Sequence, residues 1–414
     1  MYTAAAWTHN ESASEYIWKG MNHMETFDAA YFDRGIERRG TNAVKWDGMY
    51  RQHGDKDMIP MWVADMDFPS PPAIQAAVAR VAAQGTWGYT LVTEEDAKAL
   101  CGFWKRRHNF EIETDQVLMS PCVVTGMRIS VQALTMPGDG VLINPPVYGP
   151  FYQAVRESGR QVIESPMILE EGRYHLNFTD MEEKLASHAA SAILFCSPHN
   201  PCGRVWTEAE MSELLALSRK YGAPLICDEI HAEFVYAPAR HVSILELADP
   251  MDAVVMLCAA SKTFNVAGLQ QSAMVSRNPQ IRRRLATCRD RAGVVTGNPF
   301  SLAATRAAYT DCDAWLDGLL QYLVENKDIV MEHARSWKQV RVLPLEATYL
   351  MWLDCRELGL SQEELLKALL DAHICVNDGR FFGPLGEGFV RLNIGCPRAQ
   401  LRAALACLDK VFCR

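Results

Sequence analysis

Val254-Val255-Met256-Leu257 is an unbroken apolar run, and shortly after it stands Ser261-Lys262-Thr263-Phe264-Asn265. A short, continuously apolar segment bounded by polar residues reads as a strand buried on both faces. A lysine just past such a strand is unusual, because lysine is seldom fully buried and wants water or a partner. One reading is a surface lysine opening a helix. The other is a Schiff-base lysine. Its amine, with an ordinary pKa of ~10.4, must lose a proton before it attacks a carbonyl, and a desolvated site lowers that value.

The same arrangement recurs outward from this stretch. Apolar segments at 117–119, 141–143, 192–196 and 225–227, with another near 162, predict further strands. Between them lie helical patterns. Pro72 opens one over 73–84, with Gly85 placed to end it. Others are expected over 124–135 and 148–158, and Thr207 caps one in capping-box spacing with Glu210. Buried strands alternating with helices predict an α/β fold with a mostly parallel sheet covered on both faces. Beyond about Pro299 the pattern turns helical and then mixed. There, 349–353 and 389–393 read as strands of a separate, smaller α+β unit.

Composition narrows the possibilities. The chain has 414 residues, 49% hydrophobic and 22% charged, as in ordinary globular proteins. Its net charge of −9 argues against a nucleic-acid partner, which needs a basic face. The 13 cysteines are scattered without C-x-x-C or zinc-site spacing, so no metal is expected and reduced thiols in the cytoplasm are. The start lacks a basic segment followed by a long apolar one, so no signal peptide is expected. The longest apolar run, 253–260, falls far short of the roughly 20 residues of a membrane span, and no membrane association is expected. Residues 1 to about 25 read as a polar, irregular arm. There is no G-x-G-x-x-G, Walker A, G-x-S-x-G or H-E-x-x-H.

Ligands of parallel sheets bind beyond the carboxyl ends of the strands. Special residues gather there. In Ile226-Cys227-Asp228-Glu229-Ile230-His231, Asp228 follows an apolar strand, where an unpaired carboxylate is costly. It implies a cationic partner, either an Arg or Lys or a protonated pyridine nitrogen; a helix-capping or salt-bridged aspartate is the plain alternative. His231 is placed to bond the same ligand, or is structural. Asn200 stands in the stiff turn Ser197-Pro198-His199-Asn200-Pro201-Cys202-Gly203 and presents an amide donor. Cys122-Val123-Val124-Thr125-Gly126 joins a strand to a helix, where free N–H groups suit an anion. Tyr148 is placed to stack on a flat ring or to pack in the core. Arg391, between apolar neighbours in 389–393, suits a bidentate carboxylate or a structural ion pair. Together these features describe one ligand that is planar and phosphorylated, with a carbonyl and a basic ring nitrogen. That ligand is pyridoxal 5′-phosphate (PLP).

Over about residues 40–414 the joint pattern resembles the fold-type I, aspartate-aminotransferase-like PLP enzymes. Within them it is most similar to the MalY/PatB-like cystathionine β-lyase and C–S lyase branch. The motifs that carry this are Trp62-Val63-Ala64-Asp65-Met66-Asp67-Phe68, Trp87-Gly88-Tyr89, Asp228-Glu229-Ile230-His231, Ser261-Lys262-Thr263-Phe264-Asn265 and Arg391-Leu392-Asn393-Ile394-Gly395-Cys396-Pro397-Arg398. The motif positions predict a large PLP-binding domain over 76–310 and a small domain built from both ends of the chain, 1–75, which begins with the arm, and 311–414. The resemblance implies that Lys262 carries the cofactor and moves the Cα proton, and that Asp228 keeps the pyridine nitrogen protonated. Asn200 and His231 would serve the cofactor's phenolic oxygen, Tyr148 would stack on the ring, and Arg391 would bind the substrate carboxylate. The amides of Val123 and Val124 and the hydroxyl of Ser261 would hold the phosphate. Tyr89 would reach the phosphate of a neighbouring subunit, which implies a homodimer. The chain departs from the pattern at Ala259, where relatives often have a phosphate-binding serine. It also departs at Gln270, where many aminotransferases have an arginine. The implied reaction is β-elimination from L-cystathionine or another L-cysteine S-conjugate, giving a thiol, pyruvate and ammonia. The alternative is an aminotransferase acting on an L-amino acid and a 2-oxo acid.

Overall fold

In the computed structural model, which describes residues 26–294 and 296–413, the apolar run forms the strand Val254–Cys258, every residue of it buried. It lies inside a seven-stranded sheet. The order across that sheet is Val117–Ser120, Ser272–Val275, Val254–Cys258, Leu225–Asp228, Ala192–Cys196, Gly140–Ile143 and Gln161–Glu164. The five strands from Val254–Cys258 to Gln161–Glu164 pair in parallel. Ser272–Val275 runs antiparallel to both its neighbours. It is a strand the apolar pattern does not announce, since it has only four residues and opens on a serine.

The helices begin and end where local chemistry dictates. Thr207 accepts from the Glu210 amide and the Glu210 carboxylate returns the bond to the Thr207 amide, starting Glu208–Tyr221. Such a cap contributes about 1 kcal/mol. Pro72 opens Pro72–Ala83, and Gly85 follows with a left-handed φ of 70°. The helix expected over 148–158 is shorter, Pro150–Arg156. Pro150 takes the first helical position, where its missing N–H costs nothing, and Tyr148 is left in the preceding turn. Val123–Leu134 lies close on the sheet at Gly126, where a Cβ would come within 3.3 Å of both Met274 Cγ and Ser120 Oγ.

A second sheet has five strands in the order Ile59–Met61, Ile374–Asp378, Phe389–Asn393, Leu350–Asp354 and Arg341–Val342. The first pair is parallel and the rest antiparallel. It joins an early segment of the chain to the last quarter. The strand expected over 349–353 lies one residue later, and that over 389–393 lies as expected. A small hairpin, Ile168–Glu170 with Arg173–His175, was not foreseen. Among the described residues no helix is long and apolar enough to cross a membrane, and no group of three side chains suits a metal ion. All 13 cysteines are free thiols. The expected N-terminal arm lies outside the described residues.

The segment from Trp62 to Pro71 leads from Ile59–Met61 to the helix Pro72–Ala83. Its acidic residues are tied by a buried charge cluster. Asp67, 1% exposed, accepts from Lys45 Nζ at 2.8 Å, Trp46 Nε1 at 2.9 Å, Arg38 Nη1 at 3.1 Å and Gln400 Nε2 at 2.8 Å. Arg38 also holds both oxygens of Asp65, at 3.0 and 2.8 Å. Lys45 donates further to the Asp65 carbonyl at 3.1 Å.

Candidate active site

The carboxyl ends of the parallel strands open on one cleft. Asp228 ends Leu225–Asp228, and Asn200 follows Ala192–Cys196. Ser261 and Lys262 follow Val254–Cys258 within the short helical turn Ala260–Thr263. Val123 and Val124 open the helix that succeeds Val117–Ser120. Eight of the ten sequence-predicted site residues line this cleft: Lys262, Asp228, Tyr148, Asn200, His231, Ser261, Val123 and Val124. Arg391 reaches it from the second sheet, donating from Nη1 to Asn200 Oδ1 at 3.0 Å. Tyr89 does not belong to it within one chain. Its side chain is 97% exposed, beside the exposed Trp87, Leu91 and Val92.

The charged groups of the cleft are buried and underpaired. Among the described residues, the Asp228 carboxylate accepts one hydrogen bond, from the Ile230 amide at 3.1 Å, and no Arg or Lys forms a salt bridge with it. Burial pushes its pKa up to about 7, with the Glu229 charge adding to the rise. Lys262 Nζ donates to the Ala64 carbonyl at 2.6 Å. Burial lowers its pKa to about 8, opposed by the nearby Asp65 charge. His231 keeps Nδ1 without a partner, and burial brings it down to about 3, so its ring is neutral. The Arg391 guanidinium, 1% exposed, lies 4.8 Å from the Phe382 ring centroid and donates through Nη2 to the Trp62 carbonyl at 2.8 Å. Its Nε has no partner. Tyr148 packs edge-on against Phe381, with ring centroids 5.8 Å apart.

Two features bear on the phosphate. The helix Val123–Leu134 starts at Cys122 with no side-chain cap, which leaves its first N–H groups for an anion. Ala259, where relatives often carry a serine, likewise gives the turn Ala260–Thr263 no side-chain cap. Gln270, in a left-handed conformation with φ 52°, also lines the cleft.

Several groups that shape the site were not assigned a chemical part from sequence. The Ala64 carbonyl accepts from both Lys262 and the Tyr349 hydroxyl, the latter at 3.1 Å. Asn265 binds the 62–68 segment three times: Oδ1 accepts from the Met66 amide, and Nδ2 donates to the Met66 and Phe68 carbonyls. Asn393 donates to the Asp65 carbonyl at 2.7 Å. The acceptors are backbone atoms, and no side-chain pattern marks them. The only trace was that Trp62–Phe68, Asn265 and Asn393 all fall in the quoted motifs.

These residues fit PLP. A lone buried carboxyl at a strand end awaits a cationic hydrogen-bond partner. A buried amine with a depressed pKa stands in the same cleft. An imidazole nitrogen is orphaned beside them, and uncapped helix amides suit a phosphate. Residues 56–408 match the family described as aminotransferase class I and II, and the chain belongs to that family, whose members are PLP-dependent enzymes. It is 37% identical over 381 residues to cystathionine beta-lyase PatB of Bacillus subtilis, covering 90% of this chain and 97% of the relative. It is 30% identical over 379 residues to protein MalY of Escherichia coli, covering 91% and 97%. The structure of cystalysin from Treponema denticola, which contains pyridoxal 5′-phosphate, superposes with a TM-score of 0.87 at 32% identity, covering 92% of this chain and 98% of that one. The fold is the aspartate-aminotransferase-like fold type I.

Proposed function

We propose that the protein is a PLP-dependent C–S lyase that cleaves L-cystathionine or another L-cysteine S-conjugate by β-elimination, releasing a thiol, pyruvate and ammonia. The observation that carries this is the pair Lys262 and Asp228. They are buried in one cleft, feel one another's charge without forming a salt bridge, and have pKa values displaced towards neutrality. Relatives named cystathionine beta-lyase support the choice of reaction.

PLP, when bound to Lys262, supplies an electron sink for the charge that develops at the substrate Cα. Asp228 holds the pyridine nitrogen in its protonated form, which deepens that sink. Tyr148 would cover the ring, and Asn200 and His231 would serve its phenolic oxygen. The Val123 and Val124 amides and the Ser261 hydroxyl hold the phosphate. Arg391 binds the substrate α-carboxylate, its plane set by Phe382 and its Nη atoms by Asn200 and Trp62. Once the substrate's amino group displaces it from the cofactor, the freed Lys262 amine would take the proton from Cα as general base, a role its depressed pKa suits. The Ala64 carbonyl, 2.6 Å from Nζ, steadies the amine for that transfer. The sulfur leaves from Cβ as a thiolate.

Residues 76–310 form the cofactor domain, and the described residues of 1–75 and 311–414 the small one, a division supported by the two sheets. Tyr89 reaches the phosphate site of a second copy in a homodimer, supported by its exposure beside other bare apolar side chains. The free thiols support a reducing, cytoplasmic setting. The test is a panel of S-substituted L-cysteines with pyruvate detection on the PLP-loaded protein, run beside amino-group exchange with 2-oxo acids. Pyruvate from cystathionine supports the lyase. Exchange without pyruvate favours an aminotransferase.

A further inference from the structure

Directly behind Asp228 lies a second buried acid that the reaction above does not use. Successive side chains of an extended segment point to opposite faces, so Asp228 enters the cleft and Glu229 the reverse side of the sheet. Glu229 is 1% exposed. Its Oε1 accepts from the Ile244 amide at 2.9 Å and the Ser243 hydroxyl at 3.2 Å, and its Oε2 meets His241 Nε2 at 2.8 Å. His241 is also buried, and its Nδ1 has no partner. If Nε2 accepted from Glu229, a neutral imidazole would leave Nδ1–H as a buried, unpaired donor, the costlier orphan. Nε2 therefore donates. Three donors converge on Glu229, and both of its oxygens act as acceptors.

A glutamine would satisfy the same backbone and hydroxyl donors without the cost of burying a charge. The charge itself therefore calls for a reason, and the group it faces supplies one. Asp228 is adjacent in sequence, and the Glu229 charge acts on it. The other ionisable groups that face Asp228 are Lys262, Tyr148, Cys196 and Cys227. Negative charge behind a carboxylate raises the hold of that carboxylate, and of any base bonded to it, on a shared proton.

We propose that Glu229 is a positioning residue that places a fixed negative charge behind Asp228, so that the proton between Asp228 and the cofactor's ring nitrogen is retained at the pH of the cell. The inference rests on the PLP reading of the cleft. A purely structural Glu229 would anchor Ile244 and His241 and leave the ring nitrogen unaffected.

The test compares the wild-type protein with Glu229→Gln and Glu229→Ala. It measures the dissociation constants of PLP and of 1-deaza-PLP, which has C–H in place of the ring nitrogen, at pH 8, together with the melting temperature of each cofactor-free protein. For Glu229→Gln we expect a near-wild-type melting temperature and PLP binding weakened about tenfold, the equivalent of about one pKa unit on the shared proton. Binding of the 1-deaza analogue should be unchanged. Equal weakening for both ligands, or for neither, overturns the inference. Should Glu229→Ala fail to fold, the Glu229→Gln comparison decides alone. A wild-type chain that binds no PLP would instead overturn the reading of the cleft.

Discussion

Asp67 and Asp228 are both buried aspartates, and they lie in opposite circumstances. Asp67 accepts from Lys45, Arg38, Trp46 and Gln400. Burial alone would raise its pKa, but the Lys45 charge and these hydrogen bonds outweigh it and hold the carboxyl below the ordinary range. The Asp228 carboxylate has one amide donor and, among the described residues, no salt bridge, and burial, only partly offset by the Lys262 charge, carries it up to about 7. Burial costs both residues the same kind of desolvation. Satisfaction from within the chain marks a group that holds the fold. A buried charge that the chain leaves without a salt bridge is suited to pairing with a ligand. Lys262 and Arg391 share the second condition, each pushed down by burial, to about 8 and about 10. Lys45 shares the first, fully enclosed between Asp67 and the Asp65 carbonyl.

The contrast can be broken at either end. The largest effect is expected at Lys262. Lys262→Ala should lower pyruvate release from cystathionine by ~10²–10⁴-fold, the range for loss of a general base, while leaving the melting temperature of the cofactor-free protein intact or higher. A near wild-type rate would remove Lys262 from the reaction.

Asp67→Ala should do the reverse. Taking one partner from a buried pair leaves Lys45 uncompensated, at a cost of about 3–5 kcal/mol of stability. Denaturant unfolding measures it, and a loss below about 1 kcal/mol would show that the cluster is not holding the 62–68 segment.

Asp228→Asn should weaken PLP binding by about 1.5–3 kcal/mol, the worth of a charge-assisted hydrogen bond. The pH dependence separates the two aspartates. The folded-state pKa of Asp228 is raised, so in the cofactor-free protein the unfolded chain ionises first. Asp228 therefore costs stability increasingly between about pH 4 and 7, and fully above that. Asp67 is depressed, so its stabilisation is present above about pH 4 and is lost as the pH falls through its lowered value. Asp228→Asn should then raise the melting temperature of the cofactor-free protein at pH 8, and Asp67→Asn should lower it. Shifts of the same sign would erase the distinction.

The smallest effect is expected at Tyr89. Tyr89→Phe removes one proposed hydrogen bond to a partner's phosphate, about 1 kcal/mol, and should weaken PLP binding severalfold without changing the oligomeric state seen by sedimentation.

Much of this was legible in the sequence, because buried parallel strands announce themselves as apolar runs and their carboxyl ends locate the site. Asp228, Lys262 and Asn200 follow such runs, and all three line the cleft. Ser272–Val275 escaped because four residues opening on a serine carry no clear period. The boundary at Tyr148 moved because a proline two residues on fixes where the helix begins. The Ala64 carbonyl escaped for a different reason. Backbone acceptors carry no residue identity, and only folding brings Asn265, Tyr349 and Lys262 onto the 62–68 segment. The partner of Asp228 was left open between an Arg or Lys and a pyridine nitrogen. Only the three-dimensional arrangement shows that Lys262 lies near enough to act on Asp228 without forming a salt bridge to it.

PLP would complete both residues, its carbonyl carbon bonding Lys262 and its ring nitrogen pairing with Asp228. That central claim is tested most directly by loading the protein with PLP, reducing it with borohydride and locating the added pyridoxyl mass by peptide mass spectrometry. The account predicts a yellow protein whose visible band is lost on reduction, with the mass fixed on Lys262 alone and no stable uptake by Asp228→Ala. Fixation on another lysine, or a chain that stays colourless with excess PLP, would contradict it.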